Sequence, residues 1–148
     1  METQGVISAV GKIRRFANEL IMKELEKIGI TGLSTSHGDI LAMLSKGERI
    51  PMKEISRRID RKKNTVTVLV EKLIRMGYVR KQTSEADSRV TFVVLTAKGK
   101  SLLPDFNHIS ALLLEKTYRG FTNEEKKTLI QLLTRVLNNL SSSESDLP

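Results

Sequence analysis

Apolar positions recur along this chain with helical spacing in most segments and with strand-like runs in one. Val66, Leu69, Val70, Leu73 and Ile74 stand at i, i+3, i+4, i+7 and i+8, the apolar stripe of an amphipathic helix. Gly77 follows where a helix-ending residue takes a positive φ. The opposite face of 61–77 carries Arg61, Asn64, Thr65, Val68, Glu71, Lys72 and Arg75. Upstream, Val6, Val10, Ile13, Ala17, Leu20, Ile21 and Ile28 share one broad stripe, which predicts a helix over 6–28 closed by Gly29 and Gly32. Ser34 is the candidate N-cap of a second helix, with Ile40, Leu41, Met43 and Leu44 on its buried side and Gly47 at its end. Glu48–Ile50 is a candidate minor strand. Pro51 suits the first position of a short helix over 51–58, with Met52, Ile55 and Ile59 inward and Lys53, Arg57 and Arg58 outward. A tight turn near Asp60 then leads into the helix at 61–77.

Beyond that helix, 78–83 is strand-like, 84–89 is a polar loop and 90–95 is a β-branched strand. Thr96 can cap a helix reaching about Tyr118, with a bend expected at Pro104. Within it, 109–114 is apolar nearly all round and predicts burial on several sides. Thr122 to Glu125 fits a capping box. Leu129, Leu132, Leu133, Val136, Leu137 and Leu140 form the stripe of a last helix. The tail 141–148 is polar, and disorder is expected there.

Helix, helix, amphipathic basic helix and β-hairpin, in that order, define a winged helix-turn-helix. The predicted fold is mainly α with a small β-hairpin wing, flanked by N- and C-terminal helices. The expected organisation is 1–32 as an N-terminal dimerisation helix, 33–96 as the winged helix-turn-helix, 97–140 as C-terminal dimerisation helices and 141–148 as tail.

Charge sharpens this picture. Residues 46–100 hold 15 of the 25 Lys and Arg but only 6 of the 17 Asp and Glu, so the whole cationic excess lies in the middle third of the chain. A basic patch confined to one module is the footprint of a polyanion partner. A membrane surface would call for exposed aromatics on a basic helix, and the 2 Tyr and 4 Phe do not lie in one. No apolar run is long enough to span a bilayer, and the first residues lack a signal-peptide pattern, so no membrane partner is expected. The absence of cysteine removes disulfide and thiolate chemistry and accords with a cytoplasmic location.

The residues at this point resemble the multiple-antibiotic-resistance regulator (MarR) family of bacterial transcription factors over roughly 6–140. The carrying pieces are Leu33 through Leu44, Asn64 through Val70, Leu73 through Val79, and Asp87-Ser88-Arg89 followed by Leu95-Thr96-Ala97-Lys98-Gly99. The resemblance implies a cytoplasmic homodimer joined by its first and last helices, with each winged helix reading half of a pseudo-palindromic operator. It further implies that Arg89 inserts into the minor groove with Asp87 orienting it. Many members respond to small anionic or phenolic ligands, so a repressor released by a small-molecule effector is the expectation. This sequence departs from the family pattern at Val68, where many relatives carry a basic residue, and at His37, where Gln is common.

Arg61, Asn64, Thr65 and Val68 are the candidate base contacts. Arg pairs with guanine, Asn with adenine, and valine can meet a thymine methyl. The competing assignment is that Asn64 or Thr65 caps the helix. Lys53, Arg57, Arg58, Lys62, Lys63, Lys72, Arg75, Arg80 and Lys81 are candidate phosphate contacts. Arg57 and Arg58, being adjacent on a helix, are expected to point apart, so only a subset would touch DNA. For Arg89 the alternative is an exposed salt bridge. The helices at 6–28 and 96–140 carry more apolar surface than a small winged module covers, and a second copy is the natural cover. Phe16, Leu20, His37 and Met43 are candidates, by position, for a ligand pocket. His37 and His108 lack the spacing of a metal site, so neither metal nor cofactor is predicted. The sequence has no Gly-rich phosphate loop, nucleophile motif or carboxylate pair in an apolar setting, Glu124 and Glu125 being accounted for by capping, which argues against an enzyme. A winged helix that docks protein, and a nonspecific architectural DNA binder, are the alternatives to a sequence-specific regulator.

Overall fold

The computed structural model describes residues 3–142. A 3-10 turn, Thr3–Gly5, leads into α1, Val6–Lys27. Then follow α2 (Thr35–Leu44), β1 (Ile50–Pro51), α3 (Met52–Ile59), α4 (Lys63–Arg75), β2 (Val79–Thr83), β3 (Thr91–Leu95), α5 (Ala97–Thr117) and α6 (Asn123–Ser141). The chain divides into two compact units after Leu113, within α5. Residues 143–148, most of the tail for which disorder is expected, lie outside the described residues. Ser141, placed in that tail by its composition, belongs to α6.

In the first unit, α2, α3 and α4 pack their apolar faces against a small sheet. The sheet is antiparallel in the order β1-β3-β2. Its register pairs Ile50 with Val93, and Val79 with Leu95 through to Thr83 with Thr91. Pro51, which lacks an N–H, sits on the edge strand, where none is needed for the ladder. The core contains Ile40, Leu41 and Leu44 from α2, Ile55 from α3, Val66, Val70 and Leu73 from α4, and Val93 from β3. The three α4 residues are essentially sealed from water, and each contributes about 1.5–3 kcal/mol relative to exposure. They fix which face of α4 points outward.

Local sequence explains how α4 ends and α5 begins. The Gly77 N–H donates to Ile74 O (2.9 Å) and the Tyr78 N–H to Leu73 O (3.0 Å), the paired bonds of a Schellman motif. Thr96 Oγ1 accepts from the Gly99 N–H (3.1 Å), capping α5, and donates to Gly77 O (2.5 Å). Gly99 has no alternative here, since a Cβ on it would lie 2.1 Å from the Tyr78 carbonyl oxygen.

Several details differ from the sequence expectations. α1 buries Leu25, which the predicted stripe omits, while Val6, Val10, Ile13 and Ile28 are exposed. The core reaches only the C-terminal part of α1, where Ile21 packs beside Leu25. In 109–114 only Ile109 is buried, and Leu114 is exposed. Pro51 precedes α3 as its N-cap and is not its first residue.

In the second unit, α6 begins with the predicted capping box. Thr122 Oγ1 accepts from the Glu125 N–H (3.1 Å), and Glu125 Oε2 accepts from the Thr122 N–H (2.8 Å). Ahead of it, Tyr118 and Phe121 pack edge to face. Leu132, Leu133, Leu137 and Leu140 are exposed along α6.

Candidate nucleic-acid interface

The α3–α4 turn is built by three residues. Asp60 adopts a left-handed conformation (φ 52°) that stops α3. The Arg61 N–H donates to Ser56 O (3.2 Å), and Ser56 Oγ donates to Arg61 O (2.5 Å). Arg61 therefore lies in the turn before α4 and not on its face, as its helical phase suggested. Its side chain is half-buried.

α4 starts from Lys62 with no side-chain cap. The first intrahelical bond is made by the Val66 N–H to Lys62 O (3.0 Å), so the amides of the first turn face outward unpaired, as at helix N-termini generally. Asn64 and Thr65 are exposed and neither caps the helix. The hydroxyl that bonds back is that of Thr67, to Lys63 O (2.9 Å). Val68 is 65% exposed, one turn beyond Asn64. Asn64, Thr65 and Val68 thus share one open face, with Lys62 and Lys63 at its N-terminal end and Arg75 at its far end.

The wing is ordered by Asp87. Its carboxylate accepts from the Arg89 N–H (3.0 Å), from Arg89 Nε (3.0 Å) and from Arg89 Nη2 (3.1 Å). These bonds, the side-chain one first, hold the Asp87 carboxyl below its ordinary pKa. The Arg89 side chain is 88% exposed at the tip of the β2–β3 loop. The bidentate pairing extends it while leaving its outer edge free.

Among the nine candidate phosphate contacts, three have partners within the chain. Arg57 and Arg58 both reach Glu54, Arg57 Nη2 to Oε1 at 2.5 Å and Arg58 Nε to Oε1 at 2.9 Å. Contrary to the expectation from their adjacent positions, they do not point apart. Glu54 precedes them by three and four residues, and their side chains are long enough to converge on one carboxylate. The two guanidinium groups, that of Arg57 first, hold Glu54 down to a pKa of about 2. The third is Lys72, whose ammonium donates to the carbonyl of Gly32 in the α1–α2 connection. Lys53, Lys62, Lys63, Arg75, Arg80 and Lys81 are exposed. Arg80 and Lys81 are neighbours on β2 and therefore leave opposite faces of the sheet.

His37 is buried at the third position of α2. Its Nδ1 accepts from the Ser34 N–H (2.9 Å) and lies 2.9 Å from Ser34 Oγ, so it closes the capping box that Gln or Glu closes elsewhere. Burial first, and the Lys72 ammonium second, push its pKa below the ordinary value of 6.5. Of the four pocket candidates, Met43 lines a surface cleft of about 650 Å³ with Asp39, Lys46 and Glu48. Phe16 is exposed under the Arg15 guanidinium (4.3 Å), and Leu20 is half-buried on α1.

Sequence reasoning passed over four contributors. Ser56 fixes the turn. Lys98 donates to Met76 O (2.8 Å) at the end of α4 and lies over the Tyr78 ring. Arg49 stacks on Phe92 (4.2 Å). Asn18 Oδ1 accepts from Thr35 N (3.1 Å) and Thr35 Oγ1 (2.5 Å). Only Lys98 sits within a recognisable motif, Leu95-Thr96-Ala97-Lys98-Gly99.

A helix-turn-helix with an ordered wing and an open, uncapped α4 defines the class, a winged helix-turn-helix protein. The MarR family profile matches residues 31–90. The transcriptional repressor YetL of Bacillus subtilis is 30% identical over 114 residues, covering 74% of this chain and 67% of that protein. The structure of a MarR transcriptional regulator from Methanosarcina mazei superposes with a TM-score of 0.79 at 27% identity, covering 93% of this chain and 98% of that one. Sco3205, a MarR family regulator from Streptomyces coelicolor solved in complex with DNA, shares the fold with a TM-score of 0.82 at 22% identity, covering 98% of this chain and 91% of that one. The chain belongs to the MarR family of transcriptional regulators, which are not enzymes. Among the described residues no helix is long and apolar enough to cross a membrane.

Proposed function

We propose that this regulator is a homodimeric, sequence-specific double-stranded-DNA-binding repressor that reads a pseudo-palindromic operator. The observation that carries the proposal is the open face of α4. The side chains of Asn64, Thr65 and Val68 are exposed and make no hydrogen bond within the chain, on a helix anchored by buried Val66, Val70 and Leu73. That is the arrangement needed for side chains to meet base edges in a major groove. Arg61 reaches the same groove from the turn. The unpaired amides at the start of α4, with Lys62 and Lys63, suit a phosphate. Lys53, Arg75, Arg80 and Lys81 are further phosphate contacts. Arg57 and Arg58 join them only by leaving Glu54.

Residues 33–96 act as the reading unit. Residues 6–28 and 96–140 act as the dimerisation helices, a role in keeping with exposed Val6, Val10 and Ile13 on α1 and Leu137 and Leu140 on α6. Arg89 enters the adjoining minor groove, oriented by Asp87. Release by a small-molecule effector completes the reading. The repressor YetL and the DNA complex of Sco3205 lend it support by kinship.

The test is a binding isotherm on a duplex recovered from a random pool. Log K falls steeply with log salt, as phosphate contacts require. Arg89→Ala weakens binding by about 10- to 100-fold at fixed salt. A flat salt dependence, or an unchanged isotherm for the variant, counts against the proposal.

A further inference from the structure

Lys72 sits on the flank of the outward face of α4, where its charge alone would mark it as a phosphate contact. Its ammonium instead donates to the Gly32 carbonyl, forty residues earlier in the chain. The side chain is half-buried, and it lies eight residues after Asn64, about 12 Å along the helix axis from the first turn. Gly32 belongs to the connection between α1 and α2. The same connection is fastened at its other end. Ser34 is tied to His37, and Thr35 is tied to Asn18 of α1 through both its N–H and its hydroxyl. One short segment therefore joins α1, α2 and the third turn of α4.

We infer that Lys72 is a positioning residue for operator reading, which binds α4 to the α1–α2 connection rather than to DNA. This inference rests on α4 being the DNA-reading helix. A cationic donor on a backbone carbonyl is among the stronger neutral-to-charged hydrogen bonds. Its loss frees the reading helix from the connection that leads to α1, without removing a phosphate contact. Asn18 acts at the other end of the same tie, on the face of α1 that meets α2.

The two roles separate by salt. A phosphate contact contributes about 0.9 to the slope of log K against log salt, whereas a positioning residue contributes nothing to it. The experiment measures binding of a pool-selected duplex over a salt series for wild type, Lys72→Gln, Lys72→Arg and Lys63→Gln. The expected result is a loss on the order of tenfold for Lys72→Gln with the wild-type slope. Lys72→Arg, which keeps a cationic donor, recovers most of the affinity. Lys63→Gln, at the start of α4, lowers the slope. Hydrogen exchange of the free protein is expected to rise across residues 30–36 in Lys72→Gln and not in Lys63→Gln.

A lowered slope in Lys72→Gln would make Lys72 a phosphate contact and overturn the inference. Unchanged affinity in Lys72→Gln would overturn it as well. Failure of the wild type to select any duplex would instead remove the DNA reading on which it rests.

Discussion

His37 shows how one side chain can serve the fold while sitting beside α4. Its Nδ1 accepts the Ser34 N–H, a bond available only to the unprotonated ring nitrogen. Burial and then Lys72 favour that neutral form. The unfolded chain therefore takes up this proton at a higher pH than the folded chain. Stability contributed by neutral His37 is fully present above about 6.5 and is lost as the pH falls from there toward the lowered folded value. His37→Gln keeps an N3 acceptor suited to a capping box and removes the titration. Urea midpoints measured at pH 7.5 and pH 5.5 are expected to fall more for the wild type than for His37→Gln. Equal falls would show that the capping histidine does not carry the linkage. Arg57, Arg58 and Glu54 make a related point. Their charges were plain in the sequence, but the convergence of two adjacent arginines on one carboxylate was not, since helical phase describes Cβ directions and not the reach of a guanidinium.

At the scale of elements, the end of α4, the start of β2 and the first turn of α5 meet at one place, where Gly99 passes the Tyr78 carbonyl. A backbone oxygen cannot move aside as a side-chain tip can. Gly99→Ala must push α5 away from the end of α4, and it is expected to destabilise the protein by about 3 kcal/mol in urea unfolding. A loss below about 1 kcal/mol would mean that the two elements yield easily. Most of the elements were legible beforehand. Periodicity gave α2, α4 and α6, capping chemistry gave the starts at Ser34, Thr96 and Thr122, and β-branched runs gave the hairpin. Arg61 fell outside α4 because Asp60 turns left-handed, and α1 buries Leu25 beside Ile21 while Val6, Val10 and Ile13 of the predicted series stay exposed. Asn18–Thr35, Lys72–Gly32 and Arg49–Phe92 are long-range pairings, and these leave no periodic trace. In the candidate site, the exposed set Asn64, Thr65 and Val68 was legible from helical phase. Which cations already have partners was not.

At the scale of the whole molecule, charge and apolar surface are segregated along the chain. The cationic excess lies in 46–100, which spans most of the winged helix and the first turn of α5. Large apolar side chains remain exposed on α1 and α6, among them Ile13 and Leu140. A single chain leaves these without cover, and a two-fold pair would supply it while setting two α4 helices to read repeated half-sites. Val68 gives that reading its own character. An apolar side chain at the centre of the outward face favours a thymine methyl, where a basic residue would seek a phosphate or a guanine. Selection of bound sequences from a random duplex pool tests this account most directly. The predicted result is a pseudo-palindrome whose half-sites lie about one helical turn, roughly 10 base pairs, apart. A pool that shows no enrichment, or a single unrepeated half-site, would contradict it.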